Sequence, residues 1–248
     1  MNREDEIKDE ILEKISKNRI TRKDKFKFVC NQCGKCCKNR RDILLNPYDL
    51  NRLAHALKMS PQDIVDKYCS VFIGQDSRFP CVCLEPIGEE EICPLLDQST
   101  LRCSVHKEKP TVCALYPLAR GMEVSENKSV FYFFQDVECG LRDEEHTVEE
   151  WLKEFNLTES EEWFAEWGDF LGKTVPVIKE IEERHYSKKV MEMLYNTILI
   201  ATYFNYEQDA NTEYFEYKSF INQFRITSKK LSDLLYSVKT GIGIFKRP

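Results

Sequence analysis

Four cysteines within eight residues, in FVCNQCGKCCKNR at Phe28–Arg40, constrain this chain more than any other feature. All 11 cysteines fall between Cys30 and Cys139, and the last 109 residues contain none. That break predicts a metal-organised N-terminal half followed by a conventionally packed half. The opening MNREDEIKDEILEKI is charged from its third residue, which argues against a secretory leader and for a cytoplasmic chain. Reducing conditions disfavour structural disulfides, and an odd number of cysteines leaves one unpaired in any case.

Spacing narrows the chemistry. Cys30-x2-Cys33-x2-Cys36 sets a thiol at every third position around Gly34, so one loop presents several sulfurs to one centre. A C-x2-C pair suits zinc as well as iron, whereas the triple leans toward an iron–sulfur cluster of the 4Fe-4S kind. Cys37 is the informative addition. Adjacent side chains diverge, so the Cys36–Cys37 pair serves two nearby centres or leaves one member free. Downstream, CPLLDQSTLRCSVHKEKPTVCALYP carries Cys93, Cys103 and Cys113, and Cys139 follows in VECGL. With the first four these make eight thiols, enough for two tetrahedral sets or for one cluster plus one ion. Pro94 and Pro110 stiffen turns near them, and Gly140 permits close backbone approach. Lys35, Lys38, Arg40, Arg41, Arg102, Lys107 and Lys109 offset thiolate charge or form an ordinary solvated surface, the latter being the plainer reading of each alone.

These motifs, C-x2-C-G-x-C-C, then C-P-L-L-D, C-S-V-H, K-P-T-V-C and L-Y-P, resemble the YkgJ-type cysteine-cluster proteins, which are described as zinc- or iron-chelating domains. The resemblance covers about Phe28 to Leu152. It implies a metal site at Cys30, Cys33, Cys36, Cys37, Cys93, Cys103, Cys113 and Cys139. A relative with a similar cysteine pattern, the flagellin lysine-N-methylase, hints at methyl transfer. The chain departs from the pattern at Lys109-Pro110, usually Arg-Pro, and at Cys113-Ala114, usually Cys-Arg. Cys69, Cys81 and Cys83 lie outside it and read as spare thiols, small buried hydrophobes or replacement ligands, the first two being the plainer reading. His106 stands where the family tends to have an aromatic and is read as a non-ligand. His55, His146 and His185 are isolated.

Rival chemistries fare worse. A thioredoxin-like use of Cys33-Gly34-Lys35-Cys36 wants a helix start after a strand in a βαβ setting, and none is evident. No three cysteines have the C-x3-C-x2-C spacing common in radical SAM enzymes. The only close glycine pair, Gly241 and Gly243, sits at the extreme C-terminus, so no glycine-rich cofactor turn can be pointed to. No histidine can be assigned to a cysteine nucleophile.

Elsewhere the pattern is ordinary. Ile7, Ile11, Leu12 and Ile15 form a helical stripe. Asp42–Leu45 is a short strand candidate. Asn46-Pro47 with Asp49 opens a helix to about Lys58, and Ser60–Asp63 repeats that grammar for a helix through Tyr68. Cys69–Leu101 reads as turn-rich. Val130–Phe134 is the clearest strand. Thr147 with Glu150 is a capping box, and Thr158 with Glu161 reads as a second helix start. Helical patterns then run to about Tyr206 and from about Tyr214 to Val238. The tail aromatics, among them Trp151, Trp163, Trp167, Tyr203 and Tyr217, are read as core rather than as a binding face.

The predicted architecture is α+β and mainly helical. It comprises an N-terminal helix (1–27), a Cys-rich metal-binding domain with a short β element (28–146) and a helical C-terminal region packed on it (147–248). A hydrophobic content of 42% is enough for a real core. A net charge of −6 gives no basic excess, so no nucleic-acid partner is expected. The longest apolar-leaning stretch, around Tyr195–Tyr206, is too short for a bilayer, so no membrane is expected either. Three functions stay open: an iron–sulfur electron carrier or accessory factor (zinc being the alternative metal), a protein-modifying enzyme of the lysine-N-methylase type, and a structural zinc protein whose tail binds a partner protein. No catalytic residue is assigned.

Overall fold

Lys25–Val29 reads K-F-K-F-V, and its alternation is one of burial too: Phe26 and Phe28 enter the core while Lys25 and Lys27 stay exposed. In the computed structural model, which describes residues 13, 15–122, 129–135, 137, 139–207 and 215–241, this strand is the second of ten. The strands are β1 (Arg19–Ile20), β2 (Lys25–Val29), β3 (Leu44–Leu45), β4 (Cys69–Ile73), β5 (Pro80–Leu84), β6 (Leu96–Asp97), β7 (Arg102–Cys103), β8 (Leu118–Met122), β9 (Val130–Phe134) and β10 (Leu141–Thr147). The α-helices are α1 (Pro47–Leu57), α2 (Pro61–Tyr68), α3 (Thr111–Leu115), α4 (Val148–Glu154), α5 (Ser160–Glu182), α6 (Lys188–Leu199) and α7 (Tyr217–Thr240).

The strands form four small antiparallel sheets, in the orders β1-β9-β8, β10-β2, β3-β5-β4 and β6-β7. Helix accounts for 48% of the described residues and strand for 20%, so the fold is mixed α/β with a helical C-terminal region rather than mainly helical. No helix among the described residues is long and apolar enough to cross a membrane.

Several helix starts follow from side chains three residues ahead of a free N–H. Asn46 Oδ1 accepts from Asp49 N at 3.0 Å, with Pro47 at the first helical position of α1. Ser60 Oγ accepts from Asp63 N at 3.1 Å to open α2. Thr147 and Glu150 make a reciprocal capping box for α4. The expected start at Thr158 is displaced. Helix α5 begins at Ser160 without a side-chain cap, because Glu161 is taken by Arg22, whose Nε and Nη2 donate to it at 3.0 and 2.5 Å, and by the Tyr132 hydroxyl. A tertiary ion pair has replaced a local cap.

Two further expectations are corrected. Cys69–Leu101 is not simply turns, since β4 and β5 pair over five residues from Cys69↔Leu84 to Ile73↔Pro80. A terminal proline and two cysteines in PCVCL mask a strand with Val82 and Leu84 in the core. The helix expected over 1–27 has given way to strand by Arg19, and the rest of that stripe, through Leu12, lies outside the described residues.

One aromatic cluster centres the helical half. Trp163 is 1% exposed, stacks on Trp167 at 5.7 Å, and meets Phe220 and Phe224 edge-on at 5.0 and 4.6 Å. Burying each such ring is worth about 1.5–3 kcal/mol. Trp151, Tyr203 and Tyr217 are buried as well, so these tail aromatics are core. Trp163 Nε1 also donates to Asn46 Oδ1 at 3.1 Å, tying α5 to the start of α1 beside the cysteine-rich region.

Candidate metal centre

Five local structures carry the cysteines of the pattern, and each turns its thiol toward the same space. Gly34 adopts φ +71°, the left-handed turn that a Cβ disfavours, and starts the 3-10 turn Lys35–Cys37. The segment after it is zipped to residues 91–93: Asn39 N donates to Glu91 O at 3.0 Å and Cys93 N to Cys37 O at 2.8 Å. Cys93 thereby lies beside the first loop. The β6–β7 ribbon, with Leu96 opposite Cys103, brings Cys103 back to that region. Helix α3 carries Cys113. Its first residue, Thr111, donates from N and Oγ1 to buried Asp49 at 2.8 and 2.5 Å, and its last carbonyls accept from Trp151 Nε1 at 3.1 Å. The β2–β10 register ends at Val29↔Leu141, so Cys30 and Cys139 flank the open end of that ribbon. Gly140, at φ +76°, lies against the Phe28 ring, where a Cβ would collide.

The result is a single cavity of about 420 Å³ lined by Cys30, Cys33, Cys36, Cys37, Cys93, Cys103, Cys113 and Cys139. The volume is far above the ~10–15 Å³ that admits one water. All eight predicted ligands border it, and none of the other three cysteines does. Cys83 is 3% exposed, its Sγ 3.4 Å from Arg41 O, and Cys81 Sγ is 3.4 Å from Phe79 O. Cys69 packs against the hydrophobic core. Among the described residues no three His, Cys, Asp or Glu side chains are drawn close enough to hold one ion. The thiols therefore surround a shared space without forming a closed ligand shell.

The electrostatics follow from that crowding. Cys36 is lowered to about 6 by its hydrogen bond with Cys37, aided by Lys109 and Arg40, while the same contact and burial push Cys37 up. Burial raises Cys93, Cys103, Cys113 and Cys139, with neighbouring thiols adding to the shift. Buried thiols of this kind lose their protons when a metal supplies the compensating charge. A sulfur-only donor set of this density fits zinc or an iron–sulfur cluster and is a poor match for hard cations such as calcium or magnesium.

Other side chains complete the wall. Lys109 is 7% exposed and borders the cavity, its ammonium 4.2 Å from the Phe155 ring centre. The Tyr116 hydroxyl is within hydrogen-bond distance of Cys139 Sγ. Arg120, on β8, borders the cavity too. The sequence singled out neither Tyr116 nor Arg120 as a site residue; the L-Y-P motif was the only signal near them. His106 is also on the wall, its ring edge-on to Phe155 at 5.8 Å. His146 packs on Trp151 at 5.4 Å, away from the cavity, and His185 is exposed.

Fold and site together define a small α/β protein built around a thiol-lined chamber. Residues 29–145 match the family model CxxCxxCC, described as "Putative zinc- or iron-chelating domain". The matching model is that of the family its cysteine motifs resemble. A curated relative, "Uncharacterized protein MJ0661" of Methanocaldococcus jannaschii, is 25% identical over 115 residues, which cover 43% of this chain and 58% of the relative. The match thus spans rather more than half of that relative's length. No solved structure matches the chain at a significant level.

Proposed function

We propose that the chamber is a thiolate metal centre held by Cys30, Cys33, Cys36, Cys37, Cys93, Cys103, Cys113 and Cys139, with an iron–sulfur cluster favoured over zinc. The observation that carries this is the partition of the cysteines: eight border one cavity and three do not. The size of the cavity supports a multi-atom cluster over one isolated ion. All 11 thiols are unbridged, in keeping with a reducing, cytoplasmic setting.

A bound cluster would supply one-electron chemistry. What this chain supplies is a partly exposed sulfur cradle, the Lys109 ammonium as counter-charge, and a phenol that orients Cys139. We place the protein among electron carriers or accessory factors of protein modification. Anaerobic purification with metal and sulfide analysis is the test. Iron and acid-labile sulfide with broad visible absorption support the reading. A colourless protein with stoichiometric zinc replaces the cluster by structural zinc, and a metal-free protein overturns the reading altogether.

A further inference from the structure

The charge of this chain is unevenly divided. Residues 31–41 and 101–113, which carry five of the eight cavity thiols, hold seven Lys or Arg against one acid, Glu108. That is +6 inside a chain of −6, which leaves −12 for the rest. Part of the excess is neutralised locally. Lys38 pairs with Glu90, Arg40 with Asp42 and Arg41 with Glu91, while Glu108 is taken by Arg52. Buried Lys109 and half-buried Arg40 are the cations that act on Cys36. Lys35, Arg102 and Lys107 are left over: all three are exposed, and among the described residues none makes an ion pair. Asp97, opposite Arg102 on the β6–β7 ribbon, turns its Oδ1 to Ser99 and Thr100.

These cations stand where the cavity opens. Cys33 and Cys36 line it and are exposed, and Lys35 lies between them. A Cβ on Gly34 would lie 3.5 Å from Leu101 O, so the loop of Lys35 adjoins that of Arg102. Lys107 follows His106, which lines the same cavity. Leu44, Leu101 and Val112 border it too and remain 49%, 46% and 43% exposed, so apolar surface sits beside the charge. We infer that this mouth is a docking face for an acidic electron-carrier protein, whose carboxylates meet Lys35, Arg102 and Lys107. The inference rests on the electron-carrier reading of the centre. Redox partners of this kind need under about 1,200 Å² of total interface, and opposite charge steers their encounter. The step served moves one electron and no atoms, one protein being oxidised as the other is reduced. Nucleic acid, the other polyanion, wants aromatic rings for its bases, and the three apolar side chains offer none.

Calorimetry on the anaerobically isolated protein tests this with an acidic ferredoxin and an acidic flavodoxin, against basic cytochrome c and a single-stranded uridine RNA. An acidic carrier is expected to bind one per chain, and its affinity should fall about tenfold between ~20 and ~200 mM salt. Lys35→Glu/Arg102→Glu should weaken it by about tenfold or more, and Lys107→Glu, outside the cavity wall, should weaken it too. The charge-matched Lys229→Glu/Lys230→Glu, exposed on α7, should bind as the native chain does. No binding of either acidic carrier, equal binding of cytochrome c, tighter binding of the RNA, or unchanged affinity in a metal-loaded Lys35→Glu/Arg102→Glu chain would each overturn the inference. Redox titration of the same samples separates the two ideas. A redox-active centre on which neither acidic carrier docks sinks this one alone, and a redox-silent protein sinks the electron-carrier reading with it.

Discussion

The hydroxyl of Tyr116 and the Sγ of Cys139 are 3.2 Å apart, joining the end of α3 to the start of the β10 segment across 23 positions of sequence. The contact orients the last thiol of the pattern from the element that also positions Cys113. Burial raises Tyr116 first, and the bond to Cys139 adds to it, so the phenol keeps its proton and serves as donor whenever Cys139 is a thiolate. Tyr116→Phe removes the donor and leaves the ring. The variant is expected to fold and to lose metal to a competing chelator roughly tenfold more readily, as partners of metal ligands typically do.

Ligand assignment has a direct mutational reading. Cys33→Ser and Cys103→Ser are expected to lower bound metal and soluble yield together, because metal binding at such sites is also folding free energy. Cys81→Ser should leave metal content unchanged, since Cys81 does not border the cavity. Metal analysis of the three purified variants checks this, and retention by Cys103→Ser with loss by Cys81→Ser would reverse the assignment.

Asn46 holds two donors with one oxygen, the Asp49 amide that starts α1 and the Trp163 indole of α5. Asn46→Ala strands both, and we expect a loss of about 1–3 kcal/mol in denaturant unfolding. Asn46→Ser keeps a capping acceptor for the Asp49 amide and should recover part of it. Equal losses in the two variants would show that the shared oxygen is unimportant.

Arg78 grips Glu182 through Nε and Nη2 at 2.6–3.0 Å, tying the β4–β5 turn to the end of α5. The pair holds the Glu182 carboxyl below the usual range. A depressed acid contributes stability that is present above its unfolded value, about 4.3, and is lost as pH falls through the folded value. Below about pH 4.5 the native chain should therefore lose urea resistance faster than Glu182→Gln, while above it the variant should be the weaker of the two. The pair is partly exposed, so the difference is expected within about 1 kcal/mol.

Removing the metal should act unevenly. Chelation is expected to speed hydrogen exchange around Cys30–Cys37 and Cys93–Cys113, while the α5–α7 aromatic core keeps its protection. Uniform loss of protection would instead mean that one cooperative unit depends on the metal.

Much of this protein is written locally in its residues. The starts of α1, α2 and α4 at Asn46, Ser60 and Thr147 rest on hydrogen bonds three residues long, and the strand Val130–Phe134 rests on its own composition. Such features need no partner from afar, so position in sequence determines them. The eight cysteines were likewise legible from spacing and family resemblance. Their meeting in one chamber was not, because it depends on β2 finding β10 across more than a hundred residues and on residues 91–93 zipping to the first loop. The same distance explains the reversals. Glu161 could cap a helix until Arg22 and Tyr132 arrived to claim it, and nothing around Arg120 marks it as a cavity cation before β8 is set against α5. Tertiary structure decides whatever is settled by competition between local and distant partners for the same charge or hydrogen bond.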